Sequence, residues 1–301
     1  MKNICLKMLS AVLTAAMLLC LFAACGKTAD PTPSKPAVTY PRLLGEVKSN
    51  ANYTENELYI WNSITERKIY CREVIPASYQ EGTKIPMIVY IHGFNGDATS
   101  LITEPEALAV DGIAGFTIEC CGGNKVTQKS DGKDIVQAHY SSRVTDLITA
   151  LEYVLTLPYV DPEQVYIYGQ SYGGTTTMMA APLIKDKIAG LILESTGISK
   201  AGVPLKGNET KGELAEYTIP VEQWEEYVVQ YEGDIILCHS EGDTMLPMED
   251  NAVYTTEVYN RRANGTMTLY RCPEGEHAYN AFSEEGKAIT LNAIREMVLG
   301  K

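Results

Sequence analysis

Short apolar runs rich in β-branched residues recur along the chain at residues 87–91, 116–118, 165–168, 191–193, 235–238 and 267–270, bounded by Gly or Pro. Runs of this length without polar alternation predict strands buried on both faces. Between them, residues 104–110, 143–155, 175–184, 253–261 and 287–298 repeat their apolar positions with a helical period. Alternation of these two patterns predicts an α/β fold, a mainly parallel sheet with helices on both faces. Residues 58–63 and 68–74 read as an antiparallel pair at the start of the sheet, with Pro76 and Gly82 turning the chain into the first central strand. Residues 196–232 break the rhythm with scattered Gly and charge, then a helical piece around Trp224. They are expected to form a short lid-like insertion over the C-terminal edge of the sheet, where ligands bind in open α/β sheets.

The N-terminus follows a different logic. Lys2 and Lys7 precede an apolar stretch from Met8 to Phe22, and small residues then lead to Cys25 and Gly26. The stretch is shorter than the roughly 20 residues a spanning helix needs, so residues 1–24 read as an export signal. The junction is similar to a bacterial lipobox, with Phe22 where Leu is usual. That resemblance implies a lipid on Cys25, a Pro-rich tether over residues 25–40 ahead of a single domain over 41–301, and an extracytoplasmic protein attached to the bacterial membrane.

Composition narrows the partners. The formal charge is −13, and it grows more negative once Lys2 and Lys7 leave with the signal, which disfavours nucleic acid and anionic lipid. Of eight cysteines, Cys71, Cys120, Cys121, Cys238 and Cys272 remain in the domain. Their spacing matches no zinc pattern or disulfide framework, and most sit in apolar runs where a free thiol behaves as a small hydrophobe. A Cys238–Cys272 bridge would require neighbouring strands.

The candidate chemistry begins at Gly169-Gln170-Ser171-Tyr172-Gly173, between a predicted strand and a predicted helix. That setting describes a nucleophile elbow, in which small flanking residues let the backbone turn sharply and present a serine hydroxyl. A serine needs a base within hydrogen-bond reach, and the chain has four histidines. His277 lies just past the last predicted strand, in a loop able to reach the edge where Ser171 stands. The acid belongs on the loop after the preceding strand, where Asp243 is the first choice and Glu241 the rival; it would hold the imidazole tautomer and stabilise the imidazolium. Two backbone N–H groups are needed for the developing oxyanion, and those of Tyr172 and Phe94 are the candidates. His92 and His239 end central strands and read as loop-orienting residues. His92, Gln170 and Trp224 are also the candidates for lining a substrate pocket, although aromatic residues at such places are as often packing.

From about residue 66 onward the chain resembles bacterial α/β-hydrolases of the cinnamoyl and feruloyl esterase kind, through residues 88–96, 144–174, 188–195, 237–247 and 269–279. The resemblance implies a Ser-His-Asp esterase with neither metal nor organic cofactor, acting on a small-molecule or glycan-linked ester, feruloyl, cinnamoyl or acetyl. Two departures weaken the feruloyl reading: Glu119-Cys120-Cys121-Gly122-Gly123 after the second central strand, and the unmatched insertion. A peptidase acting on short peptides and a non-catalytic binding protein on the same fold are the alternatives. Three residues placed for one reaction weigh against the last.

Overall fold

The computed structural model describes residues 39–300 apart from 122, 125, 133–139, 199–202 and 205–217. Cys25, the expected signal and most of the expected tether therefore lie outside the described residues. The strands are β1 (Arg42–Ser49), β2 (Tyr53–Asn62), β3 (Arg67–Pro76), β4 (Ile85–Ile91), β5 (Ala114–Glu119), β6 (Val160–Gln170), β7 (Gly190–Glu194), β8 (Val203–Pro204), β9 (Thr218–Ile219), β10 (Ile235–Ser240) and β11 (Met267–Cys272). The helices are α1 (Thr103–Leu108), α2 (Tyr140–Val154), α3 (Tyr172–Ile184), α4 (Val221–Val228), α5 (Ala252–Arg262) and α6 (Glu284–Leu299).

Nine strands form one sheet in the order β1-β2-β3-β5-β4-β6-β7-β10-β11, and β8 pairs with β9 separately. Pairing is antiparallel from β1 through β5 and parallel from β5 to β11. The strand period sorts the core into two layers. Met87, Val89 and Ile91 of β4 pack with Leu147, Leu151, Met178 and Val258 from α2, α3 and α5 on one face. Ile88 and Tyr90 pack with Leu108, Ile294 and Val298 from α1 and α6 on the other. Because helices cover both faces, the central strands read as unbroken apolar runs.

Two elements differ from expectation. β1 carries no apolar pattern because it is an edge strand exposed on both faces, bulged between Leu43 and Gly45 and again between Glu46 and Lys48. The later part of the insertion is not a loose cover. In α4, Trp224 and Val228 are buried in the main core layer, and the Tyr227 hydroxyl donates to the Met179 carbonyl of α3 at 2.6 Å. The strands carrying Cys238 and Cys272 are neighbours, but Cys272 pairs with Ser240 and Cys238 with Tyr270. All five described cysteines are free, buried thiols.

Candidate active site

The turn between β6 and α3 forces Ser171 to φ 51° and ψ −116°, a conformation rare for a residue with a side chain. Close backbone approach explains the glycines on either side. A Cβ on Gly169 would stand 2.7 Å from the Gly173 carbonyl oxygen, and one on Gly173 would stand 2.3 Å from that of Ile91. The first turn of α3 thus rests directly on the end of β4. Ser171 N–H donates to the Glu194 carbonyl at the end of β7 (2.9 Å), tying the elbow to the next strand.

Three loops at this edge bring the predicted side chains together. His277 Nε2 lies 2.8 Å from Ser171 Oγ, and His277 Nδ1 lies 2.7 Å from Asp243 Oδ2. An ionised carboxylate only accepts, so Nδ1 carries the proton and Nε2 is left to accept from the serine hydroxyl. The other carboxylate oxygen, Oδ1, receives the N–H groups of Met245 (2.9 Å) and Leu246 (2.8 Å). Burial pushes the Asp243 carboxyl up, but the His277 hydrogen bond, the Leu246 N–H and the two neighbouring imidazoles outweigh it and hold the carboxyl below its ordinary value. The second imidazole is His239, fully buried, with Nε2 2.7 Å from the Leu246 carbonyl and 3.3 Å from Asp243 Oδ2. Burial lowers its pKa, so it donates as a neutral ring that closes the acid loop. Glu241, the rival acid, points elsewhere and faces Arg271 at 3.8 Å with half of its side chain exposed.

The loops are held by their own polar groups. Ser240 Oγ donates to the Glu274 carbonyl (2.6 Å), and Ser195 Oγ accepts from Ala278 N–H (3.0 Å), the residue after His277. Both Ser195 and Ala278 have positive φ.

On the opposite side, the loop after β4 runs against the nucleophile, since a Cβ on Gly93 would lie 3.4 Å from Ser171 Cβ. The His92 ring aims this loop. Cys120 N–H donates to Nε2 (3.1 Å), so Nδ1 is the protonated nitrogen and donates to the Gly93 carbonyl at 2.7 Å. The Gly93 carbonyl and the Phe94 N–H share one rigid peptide plane and point in opposite directions. Fixing one therefore fixes the other. Burial, followed by the Arg143 charge, lowers the His92 pKa to about 3, so the ring stays neutral. The Phe94 ring, half exposed, meets the Tyr172 ring at 6.4 Å and 62°.

Three expected pocket residues are corrected by their burial. The His92 ring is committed to Gly93 and Cys120. Gln170 Nε2 donates to Glu194 Oε2 at 2.9 Å beneath the elbow. Trp224 is 1% exposed and stacks on Tyr227 at 5.9 Å, so it supports α4. The sequence reading missed Arg143, Asp146 and Ser195. For Arg143 a signal exists: it falls on the same helical stripe as Leu147, Leu151 and Val154, where a charge has to be buried. Among the described residues no group of three or more His, Cys, Asp or Glu is arranged to hold a metal ion. Burial raises all five described thiols, leaving them poor nucleophiles.

The acetyl xylan esterase (AXE1) family profile matches residues 42–194, from β1 through β7 and across the elbow. The chain belongs to the acetyl xylan esterase family. It is a carboxylic-ester hydrolase on the α/β-hydrolase fold, as the esterase resemblance implied. Solved structures share that architecture at low identity, which speaks for the fold alone. Est1E from Butyrivibrio proteoclasticus with bound ferulic acid is 22% identical, covers 81% of this chain and 99% of its own, and superposes with a TM-score of 0.63. Acetyl xylan esterase 1 from Thermoanaerobacterium sp. JW/SL YS485 is 15% identical, over 87% of this chain and 88% of its own, with a TM-score of 0.61. Dipeptidyl peptidase 4 from Porphyromonas gingivalis is 14% identical and covers 83% of this chain but only 36% of its own, with a TM-score of 0.62. No curated protein matches the sequence.

Proposed function

We propose that this acetyl xylan esterase family member removes acetyl groups from glycans outside the cell, through an acyl-enzyme on Ser171. The observation carrying this reading is the continuous Ser171–His277–Asp243 chain at 2.8 and 2.7 Å within a chain of that family. As Ser171 Oγ attacks the ester carbonyl, His277 Nε2 takes its proton, and Asp243 stabilises the imidazolium that forms. Negative charge gathers on the former carbonyl oxygen, where the Phe94 and Tyr172 N–H groups would receive it. The imidazolium then gives its proton to the departing sugar hydroxyl, leaving acetyl-Ser171. In the second half, His277 Nε2 takes a proton from water as it attacks, and Ser171 recovers its proton as acetate leaves.

The test is acetate release from acetylated xylooligosaccharides, beside methyl ferulate and a dipeptidyl nitroanilide. Acetate release with slow turnover of the other two supports the proposal. The half-exposed Phe94 ring beside Tyr172 favours a hydroxycinnamoyl ester as a second reading, and preferred turnover of methyl ferulate would select it. Cleavage of the nitroanilide alone would overturn both.

The same proposal includes an anchor. Cys25, next to small residues at the end of an apolar segment, would carry lipid and hold the enzyme at the membrane surface. The Cys25→Ala variant is expected in the soluble fraction, and persistent membrane fractionation would remove the anchor.

A further inference from the structure

Arg143 lies in the first turn of α2 and is 4% exposed. Burying a guanidinium is costly unless acceptors or a π face meet it. Among the groups that meet this one are an acceptor and a ring that belong to the two segments flanking the reacting serine. Its Nη2 donates to the His92 carbonyl, and its Cζ lies over the Tyr172 ring, 4.7 Å from the centroid. A position for Cβ on Gly173 would be 2.6 Å from the same His92 oxygen, so that carbonyl is wedged between the start of α3 and the guanidinium.

We infer that Arg143 is a positioning residue for the oxyanion hole, one side chain that sets the spacing between the Phe94 and Tyr172 N–H groups. The inference rests on the acyl-enzyme reading above. The His92 carbonyl and the Gly93 N–H share a peptide plane. Holding that carbonyl stops the loop after β4 from rolling, and the His92 ring then aims the next plane, which carries the Phe94 N–H. The cation over the Tyr172 ring holds the other donor's residue against the same fork. Asp146, one turn along α2, completes the support: its Oδ2 accepts from Cys121 N–H (3.1 Å), beside the Cys120 N–H that fixes the His92 ring. Helix α2 thus grips both the loop and the residue that orients it. An oxyanion hole works because its donors are in place before charge develops, and misplacement by about 1 Å can lower the rate roughly a hundredfold.

The experiment compares Arg143→Met, Arg143→Lys and Tyr172→Leu with the parent enzyme on 4-nitrophenyl acetate, together with inhibition by an alkylboronic acid that forms a tetrahedral adduct on Ser171. The Met variant is expected to lose about 10- to 100-fold in kcat with KM within about threefold, and to bind the boronic acid more weakly by a similar factor. Arg143→Lys keeps a cation that reaches the His92 carbonyl but loses the rigid multi-donor guanidinium, so it should fall between the two. Tyr172→Leu keeps its N–H and loses the platform, and should show the same pairing of lower kcat with weaker boronate binding. A loss that only tracks the unfolded fraction in a thermal melt, or a KM rise with kcat and boronate affinity unchanged, would overturn the inference. Should the Met variant fail to fold, parent-like kcat and boronate affinity in the other two would overturn it equally. Because the nitrophenyl ester contains no sugar, failure on acetylated xylan in the parent enzyme affects the substrate reading alone.

Discussion

Gly242 and Gly275 meet so closely that a Cβ on Gly242 would lie 2.1 Å from the Gly275 carbonyl oxygen. One glycine stands next to Asp243 and the other two residues before His277, so this contact sets how near the acid and base loops can come. A methyl group there has to push backbone from backbone. Gly242→Ala is expected to lower kcat at least tenfold by stretching the Asp243–His277 bond, and to destabilise the fold by about 1–3 kcal/mol as an overpacking change. Steady-state kinetics paired with a thermal melt would check both, and a fully active, unshifted variant would show that the loops do not depend on this contact.

The two candidate acids separate cleanly by mutation. Asp243→Asn leaves the shape but removes the acceptor that fixes the His277 tautomer, and a loss of about 10⁴-fold in kcat is the expected scale. Glu241→Gln should change kcat by less than about twofold, because its exposed contact with Arg271 is of a kind that contributes little. Comparable losses in the two variants would mean that the acid is wrongly assigned.

Strain at the nucleophile predicts a trade between activity and stability. Ser171→Ala should remove turnover of a chromogenic acetate while melting close to the parent. Ser171→Gly should remove it as well, yet gain about 1 kcal/mol or more, since φ 51° with ψ −116° suits a residue without Cβ. Calorimetry on the two inactive variants measures the difference, and equal melting points would argue that the elbow stores no strain.

Stability should fall as pH rises, through a carboxyl outside the triad. Glu104, buried in α1, is pushed from 4.5 to about 8, first by burial and further by Glu194, against the Thr103 hydroxyl and Lys287. Between those two values the folded chain binds a proton that the unfolded chain has lost, so stability decreases with pH across that window and levels off above about 8. Glu104→Gln is expected to flatten the slope, melting like the parent near pH 5 and above it near pH 9. Parallel melting curves for the two proteins over that range would refute the assignment.

Much of the site was legible because its constraints are local. Gly169, Ser171 and Gly173 announce a sharp turn between a strand and a helix, and the six parallel strands declare themselves as short apolar runs. His277 and the loop that carries the acid follow from loop order. Residues whose work depends on which neighbours arrive from elsewhere were harder to read. His92, Gln170 and Trp224 were expected at the substrate, yet each is buried: His92 against Gly93 and Cys120, Gln170 on Glu194, and Trp224 in the main core layer. Arg143 stands on the apolar stripe of its helix, but the groups that it meets come from other parts of the chain. β1 left no pattern because neither of its faces is buried.

Amino-acid order alone determined the α/β alternation, the elbow and the identities of the serine and histidine, because backbone sterics and apolar periodicity act over a few residues. Only the tertiary structure decided that Asp243 rather than Glu241 receives His277, that Gly242 and Gly275 set the distance between two loops, and that Arg143 reaches the His92 carbonyl and the Tyr172 ring together. Those outcomes depend on where distant strands end, and hydrogen bonds and close packing have their effect only over a few ångströms.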